Sequence, residues 1–425
     1  MDLLIRPKKL RGIVNIVPSK SYSHRAIIAA SLADGISIIK NVLFSDDIRK
    51  TIDACKAMGA QIKEYHDYLE IKGTKKVLRT EKFINVGESG STIRFFIPIM
   101  LTNEEEMEFI GENNLVNRPL DTYFDIFDEQ NIKYEHPSSK YLPLKTKGKL
   151  KSGVYNIAGN ISSQFITGLL FALPLLDGES VINVTTNLES KAYVDLTLDI
   201  LKKFGITVVN NDYKSFIIKG NQIYKPLNYT IEGDFSQAAF FLGMGLLGND
   251  IKLGCMNLDS LQGDKKIISD IISLGGEVNF ENGLLFAKTK GLKETEIDLS
   301  QAPDLGPVLS VISSLAKGEV RLYNAYRLRL KECDRITCMK EELLKLSAKV
   351  FETEDEMYFE GINSFKALEE LDSHNDHRIA MSLAVASTVC TNSIILRNAE
   401  CVNKSYPHFW DDFKKLGGDF DVIIK

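Results

Sequence analysis

Positively charged side chains recur in this chain beside the starts of apolar helical stretches. A Ser or Asp opens such a stretch about every 70 residues, at Ser23, Ser91, Ser163, Ser236, Asp304 and Asp376. Cations lie near four of these positions or elsewhere in the same 70-residue repeat: Lys20, Arg25, Arg94, Lys331, Arg335, His377, Arg378 and Lys404. A cation opposes the helix dipole, which favours anions at an N-terminus. The pattern is explained if backbone N–H groups and cationic side chains together bind an anionic ligand.

Two segments have the composition of an oxyanion cradle. Residues 18–25 combine three serines with Lys20 and Arg25, although a solvated basic loop capped by Ser23 is the alternative. In residues 87–94, Gly90 lets the backbone approach a ligand closely, and Ser91 or the adjacent Thr92 is predicted to cap the helix. This second segment is similar to a nucleophile elbow, but Ser91 stands where the second Gly of G-x-S-x-G is needed, which disfavours a serine hydrolase.

Two further segments offer hydroxyl and amide groups at helix starts. Residues 162–164 are Ser-Ser-Gln, and residues 190–193 place a Ser and a Tyr around Lys191. Such groups suit hydrogen bonds to a phosphate or to sugar-like hydroxyls, although a Ser run at a helix start is often only a cap.

Carboxylates and cations alternate in the second half of the chain. Asp304 lies at a helix start, where the dipole keeps it ionised, so it could act as a general base or simply cap the helix. Residues 331–335 are Lys-Glu-Cys-Asp-Arg, with Arg327 and Arg329 nearby, and they fall in register with the other helix starts. We interpret this run as part of a site rather than as a solvated face.

Composition limits the classes of function. The net charge is −5 and 44% of the 425 residues are hydrophobic, which excludes nucleic-acid or membrane binding through bulk positive charge. The longest apolar stretches, 169–176 and 238–247, are too short to span a bilayer, and no secretory signal is visible, so we expect a cytoplasmic protein. Six cysteines without a C-x-x-C pair indicate reduced thiols. Nucleotide and metal motifs are absent from the sequence, so no cofactor or metal is expected.

The chain divides into six similar units. A second helix series, usually closed by Gly, begins near residues 48, 120, 194, 267, 336 and 410, and β-rich runs occur at 12–17, 180–184 and 393–396. A unit of this size suits a small α/β module that packs against its neighbours. Six modules in a chain of this length predict two domains of three modules, with a boundary near residues 225–228.

Taken in order, these segments resemble the 5-enolpyruvylshikimate-3-phosphate synthase family over essentially the whole chain. The residues that carry the resemblance are 18–25, 87–94, 117–119, 162–164, 303–304, 331–335, 376–378 and Lys404. The resemblance implies an α/β fold, the two-domain inside-out α/β prism of six βαβαββ repeats. It also implies domains of 18–229 and of 1–17 with 230–425, an active site in the cleft between them, and a monomer.

The family's reaction transfers the enolpyruvyl group of phosphoenolpyruvate to the 5-hydroxyl of shikimate 3-phosphate, releases phosphate, and leads to chorismate and the aromatic amino acids. Both substrates carry a carboxylate and a phosphate, and their repulsion at close range amounts to several kcal/mol. On the resemblance, the recurring Lys and Arg side chains compensate for this repulsion.

The resemblance also implies a role for each matching residue. Asp304 would take the proton of the 5-hydroxyl, while Glu332 and Lys20 are candidates for proton transfer to and from the enolpyruvyl methylene. Shikimate 3-phosphate would be held by Lys20, Ser21, Arg25, Ser162, Ser163, Gln164, Ser190, Tyr193, Asp304 and Lys331. Phosphoenolpyruvate would be held by Lys20, Gly90, Arg118, Gln164, Arg335, Arg378 and Lys404. Supporting positions would be Ser91, Arg94, Arg327 and His377.

Two positions depart from the family pattern. Ser91 replaces a common Thr and Arg327 replaces an Asn found in some relatives, which bears on the phosphoenolpyruvate pocket and on the inhibitor glyphosate.

Three other functions compete with this assignment. The related UDP-N-acetylglucosamine enolpyruvyl transferases usually have Lys-Asn where this chain has Lys20-Ser21. They also have a reactive Cys in the loop that is Cys-free here, residues 111–117. A polyanion-binding protein or a nucleic-acid end-processing enzyme is disfavoured by the net acidity and the single Trp.

Overall fold

A computed structural model of the chain describes residues 1–424. The chain forms two compact units. The continuous unit is Lys20–Ile231, and the split unit combines Met1–Ser19 with the chain from Glu232 onward. The sequence-based boundaries lie two residues earlier, at 17/18 and 229/230.

Within residues 1–424 the chain forms twelve α-helices, two in each repeat. In chain order, α1 to α12 are Lys20–Leu32, Asp46–Ala57, Gly90–Met100, Asp121–Gln130, Ser163–Ala172, Lys191–Lys203, Phe235–Leu246, Ile267–Ser273, Gly306–Ser313, Arg335–Lys345, His377–Ser387 and Phe409–Lys415. The even-numbered helices are the second series that the sequence predicts. Helix α2, for example, ends before Gly59, whose φ of 103° is readily adopted by glycine.

The strands form six four-stranded sheets within the described residues. In chain order, β1 to β24 are Asp2–Arg6, Arg11–Asn15, Ile36–Lys40, Gln61–Glu64, Tyr68–Lys72, Phe83–Gly87, Met107–Gly111, Lys133–Glu135, Leu144–Lys147, Val154–Ile157, Ser180–Val184, Val208–Asn211, Ser215–Ile218, Tyr229–Thr230, Asp250–Gly254, Gly276–Glu281, Leu284–Thr289, Lys293–Asp298, Lys317–Tyr323, Lys349–Glu352, Met357–Glu360, Leu371–Asp372, Ile394–Arg397 and Asp419–Ile424.

All six sheets share one pairing pattern. The first strand runs parallel to the second, and the next two pairings are antiparallel. The continuous unit contains the sheets β14-β3-β5-β4, β6-β7-β9-β8 and β10-β11-β13-β12. The split unit contains β2-β15-β17-β16, β18-β19-β21-β20 and β22-β23-β1-β24. Strands β1 and β2 therefore join the amino-terminal segment to sheets formed by the second half of the chain.

The odd-numbered helices form the centre of each unit. Helices α3 and α5 pack together in the continuous unit, and α7, α9 and α11 contact one another in the split unit. Because these helices are apolar on nearly every side, they are buried along almost their whole length. Where these helices carry charged or amide side chains, those side chains lie within the first two turns, so the N-terminal ends are where chemistry can occur. None of the helices described in residues 1–424 combines the length and apolar character that crossing a bilayer requires.

The predicted helix openings are right at Asp376 and displaced elsewhere. Asp376 caps α11 by accepting a hydrogen bond from the Arg378 N–H. Ser23 instead lies inside the first turn of α1, Ser163 is the first residue of α5, Ser236 follows the first residue of α7, and Asp304 lies in the short 3-10 helix Pro303–Leu305 before α9.

The capping prediction for Ser91 or Thr92 is wrong. Ser89 caps α3, because its hydroxyl accepts the Thr92 N–H at 3.2 Å and the Thr92 hydroxyl at 2.7 Å. This assignment leaves Ser91 in the first turn, where its hydroxyl accepts a hydrogen bond from Gln164 instead.

Candidate active site

Asp304 is the centre of an ionic cluster in the split unit. Its Oδ1 lies 3.0 Å from both Lys331 Nζ and Arg335 Nη1, and its Oδ2 lies 3.0 Å from Arg378 Nη2. Burial favours the protonated acid, but Arg378, Lys331 and Arg335 together hold the pKa of Asp304 well below its usual value. Asp304 is therefore a carboxylate that three cations contact at once.

Arg335 connects this carboxylate to two others. It is the first residue of α10 and its side chain is 1% exposed. Its guanidinium donates to Asp376 Oδ2 at 2.7 Å and to Glu332 Oε2 at 2.7 Å, in addition to Asp304. Burial opposes the charge, yet the three carboxylates hold the pKa of Arg335 well above its usual value. The planar fork of Arg fits this arrangement, because one side chain must satisfy three anions.

Lys404 and Arg327 lie at the edge of the same cluster. Lys404 Nζ is 3.4 Å from Glu332 Oε1, and the half-buried Arg327 exerts an electrostatic effect on Lys331. We define the Asp304 cluster as the four cations and three carboxylates Asp304, Lys331, Glu332, Arg335, Asp376, Arg378 and Lys404. His377, also predicted, is buried at the start of α11 with Nδ1 4.0 Å from Asp376 Oδ1.

In the continuous unit, Arg25 forms the centre of a second group. It lies in α1, and its guanidinium donates to Thr197 Oγ1 at 2.8 Å, to the Ser21 carbonyl at 2.8 Å and to the Tyr193 carbonyl at 3.0 Å. These acceptors are neutral, and burial lowers the pKa of Arg25 to about 10. Ser190, buried and with a φ of 54°, precedes α6 and so places Tyr193 in the first turn of that helix. An anion beside Arg25 would offset the cost of burying its charge.

A third group joins the first turns of α3 and α5. Gln164 donates to Ser91 Oγ at 2.9 Å and accepts from Arg94 Nη1 at 2.9 Å, while Arg94 also donates to the Pro119 carbonyl. Ser162 caps α5 through the Gln164 N–H, and Ser163 is the first helical residue.

Gly90 and Arg118 lie against each other at the start of α3. A Cβ on Gly90 would be 2.8 Å from Arg118 Nη1, so only glycine lets the guanidinium lie against the helix start. Arg118 follows the 3-10 helix Asn113–Asn117 directly, which fixes its backbone. A cation beside the first N–H groups of a helix is a suitable arrangement for binding a carboxylate or phosphate.

Lys20 begins α1 and pairs with a carboxylate that the sequence analysis does not identify. Its Nζ lies 2.8 Å from Asp47 Oδ2, and the Asp47 side chain is 9% exposed. Asp47 is in the first turn of α2, where the adjacent carboxylates of Asp46 and Asp47 could have indicated a partner for a cation.

Two other partners of the site residues are also not identified from the sequence. Thr197, the partner of Arg25, has no signal in the sequence, because a Thr inside a helix is ordinary. Asp376 appears in the sequence analysis only as a helix opening, although it is the fully buried partner of Arg335.

Comparison with known proteins assigns the chain to a family. A family model described as EPSP synthase (3-phosphoshikimate 1-carboxyvinyltransferase) matches residues 5–413. A curated protein of Clostridium beijerinckii named 3-phosphoshikimate 1-carboxyvinyltransferase is 51% identical over 428 residues, which cover 99% of this chain and 98% of the relative. The chain belongs to the EPSP synthase family. The resemblance and the enzyme class that the sequence predicts are thereby confirmed.

Other relatives agree with this assignment. A protein of Clostridioides difficile with the same name is 50% identical over 430 residues, covering 99% of this chain and 98% of its own. Among solved structures, an EPSP synthase from Acinetobacter baumannii matches all of both chains with a TM-score of 0.82 at 24% identity. The enolpyruvyl transferase NikO from Streptomyces tendae covers 99% of this chain and 98% of its own, with a TM-score of 0.80 at 14% identity. These likenesses confirm the predicted α/β fold class.

Each unit of this EPSP synthase family member brings a subset of the predicted residues together. The split unit assembles Asp304, Lys331, Glu332, Arg335, Arg378 and Lys404 in one cluster. The continuous unit joins Arg25 to the backbone of Ser21 and Tyr193, Gln164 to Ser91 and Arg94, and Gly90 to Arg118. Both sets combine cations with hydroxyl, amide or carboxylate groups. They can therefore bind anionic groups and also exchange a proton.

Proposed function

We propose that the cationic groups of the two units bind the two substrates and that the Asp304 cluster contains the proton-transferring carboxylates. The reaction is that of the EPSP synthase family, in which the enolpyruvyl group of phosphoenolpyruvate is transferred to the 5-hydroxyl of shikimate 3-phosphate and phosphate is released. The observation that carries the proposal is the position of Asp304, an ionised carboxylate in contact with Lys331, Arg335 and Arg378.

The proposed binding roles follow from the chemistry of each group. Arg25 contacts only neutral acceptors among its hydrogen bonds to Ser21, Tyr193 and Thr197, so it suits the phosphate of shikimate 3-phosphate. Further contacts to this substrate are proposed for Lys20, Ser21, Ser162, Ser163, Gln164, Ser190, Tyr193, Asp304 and Lys331. Contacts to phosphoenolpyruvate are proposed for Lys20, Gly90, Arg118, Gln164, Arg335, Arg378 and Lys404. Support from Ser91, Arg94, Arg327 and His377 completes the proposed set.

The proposed proton transfers use three groups. Asp304 accepts the proton of the 5-hydroxyl, because a general base must be ionised and held beside the hydroxyl. Glu332 and Lys20 exchange protons with the enolpyruvyl methylene. The pairing of Glu332 with Lys404 and Arg335, and of Lys20 with Asp47, holds each of these two groups in a fixed position.

We also propose that the protein is a monomer in the cytoplasm. A monomer is what the family resemblance implies. All six cysteines, which lie within the described residues, are free thiols, as is typical of a reducing compartment.

Phosphate release tests the substrate assignment. With phosphoenolpyruvate present, the protein should release inorganic phosphate when shikimate 3-phosphate is added, and none when UDP-N-acetylglucosamine is added instead. The Cys-free loop of residues 111–117 and the Lys20-Ser21 pair underlie this expectation. Phosphate release with UDP-N-acetylglucosamine but not with shikimate 3-phosphate would assign the chain to the related transferases instead.

The pH dependence of the reaction tests the role of Lys331. Burial lowers the pKa of Lys331 to about 8, although the attraction of Asp304 opposes the shift. The ammonium form binds anions and is lost as pH rises through 8, so kcat/KM for shikimate 3-phosphate should fall about tenfold per pH unit above that value. Lys331→Arg keeps its charge at high pH, and this variant should lose the alkaline decline even if its kcat/KM at pH 7 is lower. If the wild type and Lys331→Arg show the same alkaline decline in kcat/KM, the decline belongs to a group other than Lys331.

A further inference from the structure

Two cysteines lie side by side at the start of helix α10, next to the Asp304 cluster. Cys333 precedes the capping residue Asp334, and Cys338 follows it by four residues. Side chains at these two positions characteristically pack against each other. The two thiols are close enough to shift each other's pKa, and Cys333 Sγ lies 3.8 Å from Asp376 Oδ2.

His374 adds a cation to this pair of thiols. Its Nε2 lies 2.8 Å from Glu342 Oε1, and its imidazole interacts with the Cys338 thiol. Glu342 is fully buried and also accepts hydrogen bonds from the Asp372 N–H at 2.9 Å and from Lys345 at 2.8 Å. These contacts fix the carboxylate, and the carboxylate in turn orients the imidazole toward α10.

These interactions shift the pKa values of the two thiols in opposite directions. The hydrogen bond from Cys333, aided by His374 and opposed by burial, lowers the pKa of Cys338 to about 6. The same pairing, together with burial and the nearby Asp376, raises the pKa of Cys333. Hydrogen bonds to Cys338 and Glu342 raise the pKa of His374 to about 10. The site therefore combines a thiol of lowered pKa, an imidazole of raised pKa and a second thiol, and a thiol of lowered pKa beside a cation is the usual setting of a reactive cysteine.

We propose that Cys333 and Cys338 form an oxidation site for hydroperoxides, at which the two thiols are converted to a disulfide. The thiolate of Cys338 attacks the peroxide oxygen, an S–O bond forms, and the O–O bond breaks to release an alcohol, or water from hydrogen peroxide. The Cys333 sulfur then attacks the sulfur of the sulfenic acid and the S–S bond forms. The S–O bond breaks, and the hydroxide takes up the Cys333 proton and leaves as water. The two thiols lose two electrons and two protons, and the hydroperoxide gains them.

The bridge would join the turn before α10 to the helix itself. Cys333 lies between Glu332 and the capping Asp334, and Arg335 begins the helix. Because disulfide geometry is narrow, its formation shifts the backbone of residues 332–335 and displaces Glu332 and Arg335 from their partners. This displacement is expected to lower the activity. That expectation rests on the proposed roles of Glu332 and Arg335, whereas bridge formation does not.

Peroxide treatment followed by mass mapping tests the proposal. The reduced protein is exposed to hydrogen peroxide, digested without reductant, and assayed for phosphate release before and after dithiothreitol. We expect a linked pair of peptides containing residues 333 and 338, and a loss of activity of about tenfold or more that dithiothreitol reverses. The matched control Cys255→Ser removes an exposed cysteine elsewhere in the same unit and should behave as the wild type.

Two variants separate the roles of the sulfurs. Cys338→Ser should retain its activity through the treatment and form no bridge, and Cys338→Ala serves the same purpose if the serine variant is unstable. Cys333→Ser should accumulate a sulfenic acid at position 338 that dimedone traps. The proposal is overturned if the wild type forms no bridge, or if Cys338→Ser loses activity to the same extent. The mass readout does not depend on turnover, so a fully active protein without the bridge would refute this inference alone.

Discussion

Replacing Asp304 with Asn is expected to lower kcat by about 10²–10⁴-fold, the usual contribution of a general base, while both substrates still bind. The amide keeps the size of the carboxylate and an oxygen that can accept from Arg335 or Lys331, so the cluster can stay assembled. It cannot accept the proton of the 5-hydroxyl. Steady-state kinetics and a direct binding measurement together distinguish the loss of turnover from a loss of affinity.

The cations of the Asp304 cluster make Asp304 a weak base, which bears on how this residue acts. Three cations stabilise its ionised form and hold its pKa well below the usual value. If phosphoenolpyruvate contacts Arg335 and Arg378 as proposed, these cations are shared with the substrate, and the pKa of Asp304 should rise. We therefore expect the carboxylate to become an effective base only when phosphoenolpyruvate is bound, which orders proton removal after binding.

Comparison of two Asp304 variants checks this electrostatic argument. Asp304→Ala should also abolish turnover, and it leaves Lys331, Arg335 and Arg378 without their shared counter-ion. Anionic substrates should therefore bind to Asp304→Ala at least as tightly as to the wild type. Glu296→Gln, which removes an exposed carboxylate paired with Arg321 in the same unit, is the control and should change kcat little. Near-normal turnover in Asp304→Asn would remove this residue from the role.

The sequence predicts the repeat pattern and the helices better than it predicts the contacts of the site. The six second-series helices follow from apolar spacing and, in five of them, from a closing Gly or Asn, because both are local properties of the chain. The start of α3 is misplaced by two residues because Ser89, Ser91 and Thr92 are equivalent candidates in sequence, and only the hydrogen bond from the Thr92 N–H selects Ser89.

Partners that are distant in sequence could not be predicted in this way. Asp47 meets Lys20 across 27 residues, and Thr197 meets Arg25 across 172, because packed helices bring them together. Asp376 was visible as a helix cap, but its second role, pairing with the buried Arg335, depends on how α10 and α11 pack. The residue types of the site are therefore readable in sequence, while the ion pairs that set their charge require the fold.

Replacing Arg335 with Met is expected to destabilise the split unit by about 3–5 kcal/mol and to abolish activity. The substitution removes a cation that contacts Asp304, Glu332 and Asp376 together, and the Asp376 carboxylate is fully buried. Removal of one partner from a buried ion pair leaves uncompensated charge, and here three carboxylates lose the same partner. Urea unfolding followed by fluorescence of Trp410, the single Trp and part of α12 in the same unit, measures the effect.

Two further variants separate the charge of Arg335 from its shape and from the fold. Arg335→Lys keeps a cation but loses the planar fork, so it should be more stable than Arg335→Met and still impaired in turnover. Adding Asp376→Asn to Arg335→Met removes one stranded charge and keeps an effective helix cap, so the double variant should regain part of the lost stability but no activity. Arg321→Met, in which the lost ion pairs with Glu296 and Glu356 are partly exposed, should cost less than about 1 kcal/mol. If Arg335→Met unfolds at the same urea concentration as Arg321→Met, Arg335 does not hold the three carboxylates together.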